Sequence, residues 1–155
     1  MRLWHKDLIE VLPRQQLLGQ WRELNSIFKL QNRHILIDFV YYYPKEDLLT
    51  YSTMIILEFN KRRYKYDLTN FNNYFGKQTV SDLVEEPFKG KFTDRYLKQC
   101  LYNLQEKYDC GGISQEEWQK IEDKFGGVMW NHQKVINSNI TLIMMIGLNL
   151  FMKTN

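Results

Sequence analysis

Two pairs of residues near the start of the chain could do chemistry together. Met1 and Arg2 place an α-amine beside a guanidinium, and Arg22 and Glu23 follow further along the chain. An α-amine has an unperturbed pKa of about 8, against about 10.4 for lysine, so a fraction is neutral and nucleophilic at cellular pH. A carboxylate held beside that amine could stabilise a developing cation or move protons. These residue types therefore indicate covalent chemistry at an amine.

A helix is predicted to carry Arg22 and Glu23. Pro13 suits a helix start, and apolar residues recur with helical spacing at positions 17, 18, 21, 24, 27 and 28. The opposite, polar side holds Gln15, Gln16, Gly19, Arg22, Glu23 and Ser26. Gly19 in a helix interior costs about 1 kcal/mol relative to alanine. Either a ligand close to the backbone or close helix–helix packing would explain it.

The remaining pattern predicts an all-α fold. A second helix is predicted over 44–62, with Leu48, Tyr51, Ile55 and Phe59 facing inward, and a third over 94–108. Ser114-Gln115-Glu116-Glu117 has the form of a capping box, which predicts a fourth helix over 115–125, closed by Gly126-Gly127. The apolar and aromatic residues 35–43 indicate a short strand or an extended entry to the second helix. Residues 67–90 indicate a long loop or short helical turns. We expect one compact domain over 1–155, with four or five helices and long connecting loops.

The N-terminal segment resembles a known family. Met1-Arg2-Leu3, Gln15 or Gln16, Leu17-Leu18 and above all Arg22-Glu23-Leu24 resemble the pyrimidine-dimer DNA glycosylase family of the phage endonuclease V type. Gln16 and Ser26 stand where the family has a histidine and an arginine, which affects DNA contacts more than the core chemistry. The resemblance is strongest at the N-terminus and around Arg22-Glu23.

The resemblance implies an all-α DNA repair enzyme with glycosylase and abasic-site lyase activity. Its catalytic residues would be Met1, whose α-amine attacks the sugar of the damaged nucleotide and forms a Schiff base, and Glu23, which stabilises the cationic sugar. The residues that would contact DNA are Arg2, Gln15, Gln16 and Arg22. The implied partner is double-stranded DNA that is damaged or abasic, and the implied chemistry needs no metal and no other cofactor.

Several candidate residues also have an ordinary structural interpretation. Glu23, Arg22 and Arg2 could be solvated surface residues, and His5 could be packed or solvated instead of assisting proton transfer. The cluster Lys61-Arg62-Arg63 with Tyr64 and Tyr66 resembles a phosphate-and-stacking patch. A basic cluster at the end of a helix is equally what compensation of the helix dipole produces.

Composition agrees with a globular protein. The 155 residues are 44% hydrophobic and 25% charged, which excludes a disordered chain. The net charge is only +3, and residues 1–66 hold 11 Lys and Arg against 7 Asp and Glu. This excess fits phosphate contacts without establishing them. We expect a monomer in the cytoplasm.

Three further observations bear on location and partners. Cys100 and Cys110 are expected as free thiols, and no metal-ligand spacing is present. The start of the chain lacks the apolar region of a signal peptide. The apolar tail over 140–155 has no assigned role, and its apolar run is too short to span a bilayer, so no membrane partner is expected.

Two alternatives to the enzyme remain open from the sequence. A non-catalytic relative could bind DNA with a steep salt dependence but form no covalent adduct. A helical protein-interaction module would instead use the apolar tail and bind DNA negligibly.

Overall fold

The computed structural model describes residues 2–30, 34–77 and 80–128. Over these residues the fold is all-α, as predicted, and no strand is present. The α-helices are α1 (Arg14–Leu30), α2 (Lys45–Lys61), α3 (Thr69–Phe75), α4 (Asp94–Asp109) and α5, which is helical over 115–128, where the described residues end. Three short 3₁₀ helices cover Lys6–Val11, Asp38–Tyr42 and Val80–Asp82.

Helix α1 forms as the apolar spacing predicts. The amide of Leu17 donates to the carbonyl of Pro13 at 3.0 Å, so Pro13 immediately precedes the first helical residue, Arg14, at a position where no amide donor is needed. One face is buried and consists of Leu17, Trp21, Leu24, Ile27 and Phe28. Burying that stripe against the rest of the molecule fixes the rotation of α1 about its axis. Its polar face is therefore presented on the outside of the core.

An aromatic core joins α2 to the segment before α4. Tyr51, fully buried on α2, stacks on Phe92 with ring centroids 5.7 Å apart. Phe88 is also fully buried, although its φ of 55° lies in a region that side chains disfavour. The buried Asp47 carboxylate accepts a hydrogen bond from the Phe88 amide, which holds this backbone in place. The four predicted inward residues of α2 are all buried.

The N-terminal segment runs through the core instead of over it. Leu3, Leu8 and Leu12 are essentially fully buried. Arg62, at the end of α2, donates to the carbonyls of Leu12 at 2.7 Å and Glu10 at 2.8 Å. These hydrogen bonds tie the segment to α2, so its first residues have a defined position next to α1.

Arg62 has a role that neither interpretation of the basic cluster described, whereas Lys61 and Arg63 are exposed. Its guanidinium also pairs with the buried Glu58 carboxylate at 2.6 Å, so it is a structural residue and not a phosphate ligand. The rings of Tyr64 and Tyr66 both pack edge-on against Phe59. Both side chains are half-buried, and this packing fixes them against the core.

Two local predictions are corrected. Residues 35–43 form neither a strand nor an extended entry but a turn followed by the 3₁₀ helix Asp38–Tyr42. Gly126 and Gly127 do not close α5, because helical backbone continues through both to residue 128. A glycine can adopt helical dihedrals as well as the left-handed ones that end a helix, and the sequence does not distinguish them.

The capping box at the start of α5 is confirmed. The Ser114 hydroxyl accepts from the Glu117 amide at 3.3 Å, and the Glu117 carboxylate accepts from the Ser114 amide at 3.3 Å. The same carboxylate accepts from the Arg14 amide at 2.8 Å and so joins the starts of α1 and α5. The sequence region 67–90 contains α3 and a 3₁₀ turn, as one of its two interpretations predicted.

None of the helices in the described part of the chain combines the length and apolarity that a membrane crossing requires. The apolar tail over 140–155 lies outside the described residues.

Candidate active site

The N-terminal segment and α1 meet at Glu23. The backbone amide of Arg2 donates a hydrogen bond to the Glu23 carboxylate, with the nitrogen 2.8 Å from Oε2. Glu23 is half-buried and is followed by the fully buried Leu24, while Arg2 is followed by the fully buried Leu3. These two buried neighbours anchor Arg2 and Glu23 to the core. The Glu23 carboxylate therefore contacts the residue that follows Met1 in the sequence.

A second, buried contact sets the register of this pairing. The Gln20 side chain is 1% exposed, and its Oε1 accepts from the Trp4 amide at 2.8 Å. The hydroxyl of Tyr51 lies 3.1 Å from the same oxygen and 2.7 Å from the Trp4 carbonyl. Burial raises the pKa of Tyr51 well above its usual value, so the hydroxyl stays protonated and able to donate. One turn of α1 therefore holds both Trp4 and Arg2.

A cleft of about 250 Å³ opens at the Arg2–Glu23 contact. It is bounded by the N-terminal segment, α1, the turn over 34–37 and α4, and its lining residues are Arg2, Trp4, Glu23, Leu36, Asn103 and Lys107. The Arg2 guanidinium lies over the Trp4 ring, 5.9 Å from its centroid. Two cations, one carboxylate and an apolar wall thus surround a space large enough for part of a nucleotide.

The structure brings together some of the predicted site residues and separates others. Arg2 and Glu23 are in direct contact, and Arg22 is exposed beside them on α1. Gln15 is exposed and Gln16 half-buried, but both lie about two helical turns before Glu23, roughly 10 Å along the axis. Neither lines the cleft. Met1 lies outside the described residues.

Gly19 occupies the outer side of α1 between Gln15 and Arg22. Among the described residues, a Cβ added there would meet only the Arg22 guanidinium, at 3.8 Å, which is an ordinary contact. Close packing against another helix of the described part of the chain therefore does not explain this glycine. The approach of a ligand, the other explanation, stays a prediction.

Sequence reasoning missed the wall of the cleft that α4 provides. Asn103 and Lys107 are four residues apart and thus share one side of α4, next to the buried stripe of Leu97, Cys100, Leu101 and Leu104. The four-residue spacing of Asn103 and Lys107 was the signal in the sequence that could have identified this polar side of α4. Nothing in the sequence indicated that α4 would face α1 at this point.

The titratable residues behind the cleft are structural. His5 is 3% exposed, and its Nδ1 accepts from the Asp7 amide at 3.3 Å. Burial raises the pKa of the Cys100 thiol, which is therefore protonated and a poor nucleophile at neutral pH. Cys100 and Cys110 are both free, as expected. Within the described ranges, no three His, Cys, Asp or Glu side chains are grouped so that they could hold a metal ion.

A larger groove of about 550 Å³ lies elsewhere, between the 3₁₀ helix Lys6–Val11, α2 and α5. Its lining includes Met54, Leu57 and Phe125 but none of the predicted site residues. Its size therefore carries less weight than the chemistry gathered at the smaller cleft.

These observations define a class of protein. It is an all-α protein in which the backbone amide of Arg2 donates a hydrogen bond to a glutamate carboxylate on the first α-helix. The family model described as pyrimidine dimer DNA glycosylase matches residues 1–71, which confirms the resemblance over this part of the chain. The family acts on DNA, and the matched part includes Arg2, Arg22 and Glu23. No curated protein and no solved structure matches the chain significantly.

Proposed function

We propose that this protein is a DNA glycosylase with abasic-site lyase activity and that the α-amine of Met1 is its nucleophile. The observation that carries the proposal is the 2.8 Å hydrogen bond between the Arg2 amide and the Glu23 carboxylate. The α-amine of a preceding residue is three covalent bonds from that amide nitrogen, hence within about 4 Å of it in any conformation. This bond count supports an amine within reach of Glu23.

The proposed reaction begins with base removal. The neutral amine attacks C1′ of the damaged nucleotide, the bond from C1′ to the base breaks, and the base leaves with the bonding electrons. Glu23 stabilises the positive charge that develops on the sugar. A proton passes from the nitrogen to O4′ as the bond from C1′ to O4′ breaks and the sugar ring opens, and the released base takes up a proton from water, which leaves a protonated Schiff base between Met1 and C1′.

Strand cleavage follows from the Schiff base. The imine withdraws electrons and so acidifies the C2′ proton. The Glu23 carboxylate is the general base proposed to remove that proton. Loss of that proton forms a double bond between C2′ and C3′ and breaks the bond from C3′ to the 3′ phosphate oxygen. Water then hydrolyses the imine and releases the amine.

The cations around the cleft are proposed to bind the DNA backbone. Arg2 lines the cleft from the N-terminal segment and Lys107 from α4, and exposed Arg22 extends the positive charge along α1. Gln15 and Gln16 lie further along α1 and would contact the same duplex outside the cleft. Phosphate neutralisation of this kind makes affinity fall as salt rises.

The activity is tested by comparing two glutamate variants. Glu23→Gln keeps an oxygen that can accept from the Arg2 amide but removes the negative charge. We expect cleavage of duplex DNA containing an abasic site to fall by about 100-fold or more, because charge stabilisation and proton transfer are both lost. Single-turnover cleavage rates with purified protein measure the effect.

Glu46→Gln is the matched control, because Glu46 is exposed in the first turn of α2 and its loss changes the net charge equally. It should cleave at the wild-type rate. A Glu23→Gln protein that is folded and as active as Glu46→Gln would refute the role given to Glu23.

A further inference from the structure

Two tyrosine hydroxyls hold the carbonyls of the N-terminal segment. The hydroxyl of Tyr96, on α4, donates to the carbonyl of Leu3, and the hydroxyl of Tyr51, on α2, donates to the carbonyl of Trp4 at 2.7 Å. Residues 2–4 belong to no helix, so their carbonyls depend on side chains for hydrogen-bond donors. Because the amides of the same segment bind α1, side chains from three helices hold this short stretch of backbone.

The rings that carry these hydroxyls are fixed in the aromatic core. The Phe92 ring packs against both, with its centroid 5.7 Å from that of Tyr51 and 6.0 Å from that of Tyr96. The ring of buried His5 also contacts Phe92, at 5.1 Å. Rings packed in this way have few alternative rotamers, so each hydroxyl has a defined position. Burial raises the pKa of both tyrosines, so both hydroxyls stay protonated and able to donate.

The order of this segment matters because of what precedes it in the sequence. Chain ends are commonly poorly ordered unless contacts hold them in place. In the proposed reaction the nucleophile is an α-amine, which is joined to the protein on one side only. A displacement of about 1 Å between reacting groups can lower a rate about 100-fold. Hydrogen bonds to Leu3 and Trp4 restrict the backbone two and three residues from that amine.

We propose that Tyr96 and Tyr51 are positioning residues, which orient the N-terminal segment so that the α-amine of Met1 is aligned with C1′ of the bound nucleotide. Neither tyrosine lines the cleft, so both act through the backbone of the segment and not on the DNA. Tyr96 also lies beyond the residues 1–71 that match the family model. This inference rests on the proposed function, because it assigns the groups that orient its nucleophile.

The test separates the rate of the reaction from the affinity for DNA. Tyr96→Phe removes one hydroxyl and keeps the ring that packs on Phe92. We expect borohydride trapping at saturating abasic duplex to slow about tenfold in single-turnover measurements, with affinity for a duplex containing a tetrahydrofuran abasic analogue within about twofold of wild type, because alignment is lost and the DNA contacts are not. Tyr51→Phe should show the same separation, and it decides the question if Tyr96→Phe does not fold.

Tyr102→Phe is the matched control, because Tyr102 lies on the same helix and is 51% exposed. It should equal wild type in rate and affinity. If the two hydroxyls served only to satisfy buried carbonyls, their removal would lower stability and leave the trapping rate of the folded protein unchanged. Circular dichroism identifies the folded variants.

Two sets of results would overturn the positioning role. One is a folded Tyr96→Phe or Tyr51→Phe protein that traps DNA at the wild-type rate or loses affinity as strongly as rate. The other is an equal loss of rate in Tyr102→Phe. Both differ from the failure of the proposed function, in which wild-type protein with a free α-amine forms no adduct, and the positioning role then fails with it.

Discussion

Arg22 and Glu23 are neighbours in sequence but differ in what the fold does with them. Arg22 extends into solvent, whereas Glu23 is half-buried and binds the Arg2 amide. The residue type and the resemblance were enough to predict Glu23 as the candidate carboxylate. Its hydrogen bond to Arg2 could not be predicted, because it joins distant parts of the chain and depends on the buried Gln20 for its register.

The buried His5 should make the free energy of unfolding depend on pH. Burial, the largest cause, lowers its pKa from 6.5, although Asp7 and Asp94 oppose the shift and Lys6 adds to it. The unfolded chain therefore binds this proton more tightly than the folded protein. We expect the free energy of unfolding to fall as the pH decreases through 6.5 towards the lower pKa of the folded protein.

A comparison of wild type with His5→Gln isolates this contribution. Urea unfolding at pH 7.5 and 5.5 should show a smaller loss for the variant, because glutamine does not take up the proton. An equal or larger loss in His5→Gln would mean that His5 is not held neutral in the folded protein. Carboxylates elsewhere contribute equally to both proteins and cancel in the comparison.

At the scale of elements, the apolar periodicity of the sequence predicted the helices that bury one face in the core. The extents of α2 and α4 follow their predicted ranges to within a residue at each end, because each has a long apolar stripe. Residues 35–43 did not follow prediction, because their apolar and aromatic run has no clear period and the turn is set by hydrogen bonds to His34. The role of Arg62 was equally hidden, since its acceptors are carbonyls of a distant segment.

The junction of α1, α2 and the N-terminal segment depends on Gln20. Gln20→Leu keeps the volume but leaves the Trp4 amide without its acceptor in the core. We expect the free energy of unfolding to fall by about 1–3 kcal/mol, the usual effect of an unsatisfied buried donor. Urea denaturation measures it.

Gln15→Leu is the control on the same helix, because Gln15 is exposed. It should change the free energy of unfolding by no more than about 0.5 kcal/mol. Equal effects of the two substitutions would show that the Gln20 contacts do not stabilise the junction.

At the scale of the whole molecule, the family match and the cleft cover different parts of the chain. The match ends at residue 71, whereas Asn103 and Lys107 come from α4. One wall of the cleft thus has the family's sequence pattern, and the other is visible only in three dimensions. With a net charge of only +3, binding to DNA would depend on the local cations at this cleft and not on the overall charge.

Borohydride trapping on abasic duplex DNA tests the central claim most directly. Protein with a confirmed free α-amine at Met1 should form a covalent adduct, and peptide mapping should place the DNA on Met1. Selective acetylation of that amine should abolish the adduct, while Lys107→Arg should retain it. An adduct mapped to a lysine, or none at all from folded protein with a free amine, would contradict the account.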